Sequence, residues 1–167
     1  MRKFSVLIFL FSMTTVYAQD AQNIQNEIDK ELWKPFKEAF DTTNGRALNA
    51  LYADEVLRVT PNGIDTHNKF KKANLKRFED NRKNKIGVQL DFWFDSRRTN
   101  AATSYEVGFY RMRLVKPEET DTIYGQFHIV LKKIYGTWKI IQDWDTGSIN
   151  GKSISQSDFE RRKPKQF

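Results

Sequence analysis

Few residues in this chain can do acid–base chemistry near neutral pH. It has two histidines and no cysteine. The candidate couple is His128 with Asp143. A carboxylate that orients an imidazole is the arrangement general-base catalysis uses, and the competing reading is a surface ion pair. A second route needs a carboxylate base facing a hydroxyl in an apolar pocket. Tyr52, Tyr110 and several aspartates are available for it, although spacing alone does not place them face to face. A metal site is not expected, because His67 and His128 fall on different elements and lack the two-histidine helical spacing. There is no nucleophile elbow, P-loop or dinucleotide fingerprint, so no cofactor is expected.

A hairpin near the C-terminal end must position these groups. Ile123 to Lys133 alternates as a strand, Tyr135-Gly136 makes a tight turn, and Gly136 to Thr146 returns. Strict alternation from that turn sets Lys133 opposite Trp138, Leu131 opposite Ile140, Ile129 opposite Gln142, and Phe127 opposite Trp144. Those residues share one apolar face, and His128 pairs with Asp143 on the other. A one-residue slip exchanges part of this assignment. With Trp33, Phe36, Tyr52 and Tyr110, the inner residues Phe127, Gln142 and Trp144 are candidates to line an aromatic pocket. Ordinary core filling is the competing reading, strongest for Phe36 and Phe127.

The elements before the hairpin are helices and then strands. Ile24, Ile28, Leu32, Phe36 and Phe40 recur every four residues, predicting a helix from about Asp20 to Phe40. Pro35 lies inside it and is expected to bend or break it near Glu31 to Lys34. Asp41 to Gly45 stops that helix and caps a short one, Arg46 to Tyr52. Val56 to Thr60 reads as a strand, Pro61-Asn62-Gly63 as a turn, and a basic helix runs from Asp65 or Thr66 to about Asn81. From Ile86 the period becomes two, and Asp95 to Asn100 reads as a polar turn. Thr103 to Val115 is a long strand, with Gly108 marking a bulge or close approach. Helices gathered on one face of a curved antiparallel sheet make an α+β cone with an open mouth.

The ends of the chain are distinctive. Arg2-Lys3, the apolar run Phe4 to Phe11 and the small residue Ala18 form a secretory signal pattern over residues 1–18. It implies an exported protein, periplasmic or secreted, with no membrane anchor once the leader is removed. The domain then spans 19–146, and 147–167 is expected to be a flexible basic tail with a short helix near Ser157 to Arg162. Removing the leader lowers the formal charge from +7 to +5. The positive charge is spread out, which argues against a nucleic-acid partner.

Taken in order, Ala50 to Val56, Pro61-Asn62-Gly63, the basic helix and Val130 to Ile140 resemble the nuclear transport factor 2-like superfamily, in its SnoaL-like and uncharacterised bacterial branches. The resemblance runs from about Ile24 to Thr146. It implies a cone of curved sheet wrapped around three N-terminal helices. It also implies a homodimer through the outer sheet face, where Trp93, Tyr124 and Val130 would serve. Members of that branch often carry a His near the position of Trp144 and a Ser where this chain has Thr146. The superfamily holds isomerases, dehydratases, polyketide cyclases, immunity proteins and binding modules, so fold does not transfer activity. The expectation is an exported binding or interaction module for a small apolar or aromatic ligand, with a cavity on the order of 300 Å³ or more. The alternative is a cofactor-free isomerase, lyase or cyclase.

Overall fold

The computed structural model describes residues 20–167. The signal peptide expected over 1–18 lies outside them. The chain begins as α1, helical over 20–41, and Pro35 does not break it. The turn ahead of the proline, Asp29–Trp33, instead widens into a π turn, and α-helix resumes over Lys34–Asp41. Widening the turn relieves the clash a proline ring makes with the carbonyl four residues earlier. Ile28, Leu32 and Trp33 are fully buried on its inner side. Thr43 takes a left-handed conformation that ends α1. The Asn44 side chain then caps α2 (Gly45–Ala50), accepting from the Ala47 amide at 3.0 Å.

Strand β1 (Tyr52–Thr60) starts four residues earlier than alternation predicts and takes in the expected end of α2. It turns into β2 (Gly63–Asp65), and α3 (Lys69–Lys83) follows. The cap is one turn later than expected. Asp65 accepts from the amides of His67 and Phe70 and ties the approach to the helix. The sheet is completed by β3 (Gly87–Thr99), β4 (Thr103–Val115), β5 (Thr120–Ile134) and β6 (Thr137–Thr146). Its order is β2-β1-β6-β5-β4-β3, antiparallel except for β1 beside β6. The residues read as a polar turn, Asp95 to Asn100, mostly continue β3 past a bulge at Asp95. Gly108 faces that bulge. A Cβ there would sit 2.2 Å from the Trp93 carbonyl oxygen and 2.4 Å from the Phe127 ring, so the close approach requires glycine.

The hairpin between β5 and β6 turns on Tyr135 and Gly136, both at positive φ. Lys133 lies opposite Trp138 and Leu131 opposite Ile140, as alternation predicts. Beyond that point the register shifts. Val130 pairs with Gln142, leaving Ile141 as an unpaired bulge residue. Every β6 side chain past Ile141 therefore points to the face opposite the one expected.

Residues 147–167 are not a free tail. A small hairpin, β7 (Ser148–Ile149) with β8 (Lys152–Ser153), leads into α4 (Gln156–Phe159), which a Ser155–Asp158 capping box opens. Ile154 and Phe159 are buried against Trp93 and Phe109 on the outer face of the sheet. The Trp93 indole donates to the Phe159 carbonyl at 2.7 Å. The chain then rounds the open edge of β3, where the Lys165 amide donates to the Phe92 carbonyl at 2.7 Å. The Lys165 ammonium meets Asp29 of α1 at 2.8 Å. An exposed strand edge is thereby covered in cis, and Trp93, expected on a dimer surface, is covered by its own chain.

Candidate functional site

The cone encloses a cavity of about 130 Å³ between α1, α2, α3 and the inner face of the sheet. It is smaller than the sequence suggests because aromatic side chains fill the cone. Trp33 alone has the rings of Phe36, Phe92, Phe94 and Phe127 within 5.2–5.5 Å. These rings, with Ile129, make an apolar floor. The Trp33 indole is fixed from behind by Glu106, which accepts from its Nε1 at 2.7 Å. Glu106 is wholly buried. It also accepts from Ser104 at 2.8 Å and pairs with Arg97, which reaches Asp29 at 2.8 Å. Burial still raises the Glu106 pKa, against the pull of Arg97.

The polar part of the cavity is built on the end of β6. Because Ile141 is bulged out, Asp143 lies opposite Ile129 and Asp145 opposite Phe127, so both aspartates face inward. Arg58 of β1 sits between them. Its Nη1 is 3.1 Å from Asp143 Oδ1 and its Nη2 is 2.9 Å from Asp145 Oδ1. The Tyr52 hydroxyl donates to Asp143 Oδ2 at 2.7 Å. The Tyr110 hydroxyl donates a long 3.4 Å bond to Asp145 Oδ2. Tyr110 can reach across β5 only because its partner there is Gly125. A Cβ on Gly125 would stand 2.4 Å from the tyrosine ring.

Burial dominates the electrostatics. It raises the Asp143 pKa, with Arg58 and Tyr52 opposing. Burial, then the neighbouring carboxylates, hold Tyr52 and Tyr110 well above the usual phenol range, so both stay protonated donors. At the rim, Arg77 of α3 lies over the rings of Phe40 and Phe78 and donates to Asn74 Oδ1 at 3.1 Å. Arg77 is an exposed residue, and partial desolvation of its guanidinium lowers its pKa.

The structure places Trp33, Phe36, Tyr52, Tyr110 and Phe127 on the cavity wall. Gln142 and Trp144 are not there. The bulge turns them to the outer face, opposite Val130 and His128. The proposed couple of His128 with Asp143 does not form, since the two side chains point to opposite faces of the sheet. His128 instead packs its ring 4.4 Å from that of Trp144 and sits 2.6 Å from the Tyr105 hydroxyl. Burial lowers its pKa. Sequence patterning does not place Arg58, Arg77 or Asn74 in the site. An arginine between Leu57 and Val59 on a strand, and aspartates two apart at 143 and 145, were the available signals. Among the described residues no group of three or more His, Cys, Asp or Glu is placed to hold a metal.

No protein-family model and no curated protein matches the sequence. Solved structures do match by shape. A protein of unknown function from Shewanella oneidensis, described as NTF-2 like, is 18% identical over 73% of this chain and 98% of its own, with a TM-score of 0.59. The chain has the nuclear transport factor 2-like fold. A scytalone dehydratase-like protein from Novosphingobium aromaticivorans matches with a TM-score of 0.64 at 14% identity, covering 78% of this chain and 89% of that one. A ketosteroid isomerase-like protein from Erwinia carotovora atroseptica gives 0.53 at 12% identity, over 72% and 93%. At such identities the nuclear transport factor 2-like fold is what these chains share.

Proposed function

We propose that the protein is an exported small-molecule-binding module whose ligand sits in the cone. One observation carries this reading. The cavity has an apolar aromatic floor and a polar wall where Tyr52, Tyr110, Arg58, Asp143 and Asp145 converge, with Asn74 and Arg77 across from it on α3. A few convergent polar groups in an otherwise apolar hollow orient a ligand and select it. The size suits something near a single substituted ring, since a cavity of about 150 Å³ takes benzene.

A specific feature supports a second reading, a cofactor-free acid/base enzyme. Asp143 is a cavity carboxylate with its pKa raised by burial, beside a hydroxyl donor. Binding ranks first because both Asp143 oxygens are already engaged, one by Tyr52 and one by Arg58. A base with both oxygens occupied must give up a partner before it takes a proton.

A native mass spectrum of protein purified from its own host tests the primary reading. We expect a retained small molecule that leaves on gentle activation. A spectrum of bare protein, together with no uptake of small aromatic probes, overturns it. The same spectrum reports on the homodimer expected through the outer sheet face.

A further inference from the structure

Of the two arginines that line the cavity, only one is spent. Arg58 is held between Asp143 and Asp145. Arg77 has no carboxylate within ion-pair distance among the described residues. Its guanidinium donates to one amide oxygen, Asn74 Oδ1, and lies 5.7 Å and 5.0 Å from the ring centres of Phe40 and Phe78. A guanidinium carries five donors in a planar fork, so most of this one is uncommitted. Asn74 is itself held by Asn49, whose amide donates to the Lys71 carbonyl at 2.8 Å. The arginine is thus positioned at the rim by its neighbours and, among the described residues, makes no direct contact with a carboxylate.

We propose that Arg77 is the subsite for a ligand carboxylate. On this assignment the cavity takes a small aromatic or apolar monocarboxylate, with its hydrocarbon part on the floor of Trp33, Phe92 and Phe127. The assignment rests on the binding reading above and adds the ligand's chemical class. An Arg–carboxylate pair forms two parallel charge-assisted hydrogen bonds, and Arg77 is exposed enough to meet a ligand entering the cavity. Asp143 and Asp145 face the same space and repel a second negative charge. That restricts the ligand to one carboxylate and disfavours dicarboxylates and phosphates. The volume restricts the rest of it to about one ring.

Benzoate and benzamide test the idea, because they share size and shape and differ in charge. Titrations at neutral pH by calorimetry and ligand-observed NMR compare both probes on the wild type and on Arg77→Gln. The shift of the Trp33 indole resonance locates the site. We expect benzoate to bind at least about tenfold more tightly than benzamide, as a charged hydrogen bond predicts. Arg77→Gln should remove that advantage and leave benzamide within about twofold. Equal binding of the two probes to the wild type overturns the proposal without needing a variant. So does benzoate affinity that survives Arg77→Gln. If neither probe enters, the binding reading falls with it, which separates the two failures.

Discussion

Asp143 lies directly opposite Ile129 on the cavity face of the sheet, one residue away from the pairing with His128 that plain alternation gives. The cause is the unpaired Ile141. A single extra residue in β6 decides which of two side-chain sets the cavity receives. With it, Asp143 and Asp145 face inward. Without it, Gln142 and Trp144 would.

Deleting Ile141 should therefore do more than shorten a strand. Restored alternation drives Trp144 toward an already filled floor and strands Arg58 without its carboxylates. Breaking a buried ion pair costs about 3–5 kcal/mol, and overpacking adds about 1–3 kcal/mol. We expect loss of cooperative folding, or a fall in urea stability of at least the lower figure. Ile141→Val keeps the bulge and should cost no more than about 1.5 kcal/mol. Equal effects of the two changes would mean that the bulge does not set the register.

The raised Asp143 pKa has a definite consequence for stability against pH. A carboxyl with a higher pKa folded than unfolded holds its proton more tightly in the native state. Its contribution to stability is therefore greatest at low pH. It declines as pH rises from the ordinary aspartate value, about 3.9, through the folded value. Glu27, Asp65 and Asp158 are shifted down and act in the opposite sense. The difference between wild type and Asp143→Asn cancels those terms. That difference should fall with rising pH in this window, at no more than about 1.4 kcal/mol per unit. A flat or rising difference would show that Arg58 outweighs burial.

Tyr52→Phe isolates one bond of the same cluster. The hydroxyl is buried and donates to Asp143 Oδ2. Its loss leaves a buried carboxylate oxygen without that donor, worth about 1–3 kcal/mol. It also removes an influence that lowers the Asp143 pKa, so the pH window just described should extend upward. Urea unfolding at two pH values measures both effects, and the destabilisation should be larger at the higher pH.

The limits of the sequence are physical and can be traced to particular residues. The α+β cone was legible because Ile24 to Phe40 keeps a helical period and Val88 to Phe94 a strand period. Tyr135-Gly136 marked its hairpin for the same kind of local reason. The cavity floor followed, since Trp33 and Phe127 lie on those periodic faces. The polar wall did not. No local pattern distinguishes Ile141 as a bulge, because its extra place in the ladder is set jointly by β5 and by the irregular register of β1 against β6 between Tyr52 and Leu57. Arg58 was invisible for the same reason, as its partners are more than eighty residues away. The 147–167 stretch is mostly polar, and its two anchors, Ile154 and Phe159, acquire meaning only beside Trp93 and Phe109.

Those anchors give a direct test of whether the C-terminal segment is structural. Phe159 is 2% exposed and lies under Tyr124 and the Arg111 guanidinium. Phe159→Ala should cost about 3–5 kcal/mol if the segment packs as in a core. Removing residues 154–167 should expose Trp93 and Phe109, shift Trp fluorescence to the red and promote self-association through the bared patch. A freely moving tail predicts no change in thermal unfolding for either variant.

Gly125→Ala probes the cavity wall from outside it. The added methyl would occupy the space of the Tyr110 ring, which must swing off β5 and leave Asp145. Overpacking of this kind costs about 1–3 kcal/mol. The informative readout is the tyrosine. Burial and Asp145 hold its hydroxyl well above the normal range, so a displaced ring should return toward the ordinary value of about 10. Ultraviolet difference titration between pH 9 and 12, on Gly125→Ala against Gly125→Ala with Tyr110→Phe, follows that one group. An alkaline step that belongs to Tyr110 and lies near the ordinary value in the glycine variant, but is missing from the wild type, shows that Gly125 exists to seat the tyrosine. If Tyr110 remains silent in both, the sheet has moved instead, and the glycine serves the curvature of β5 rather than the site.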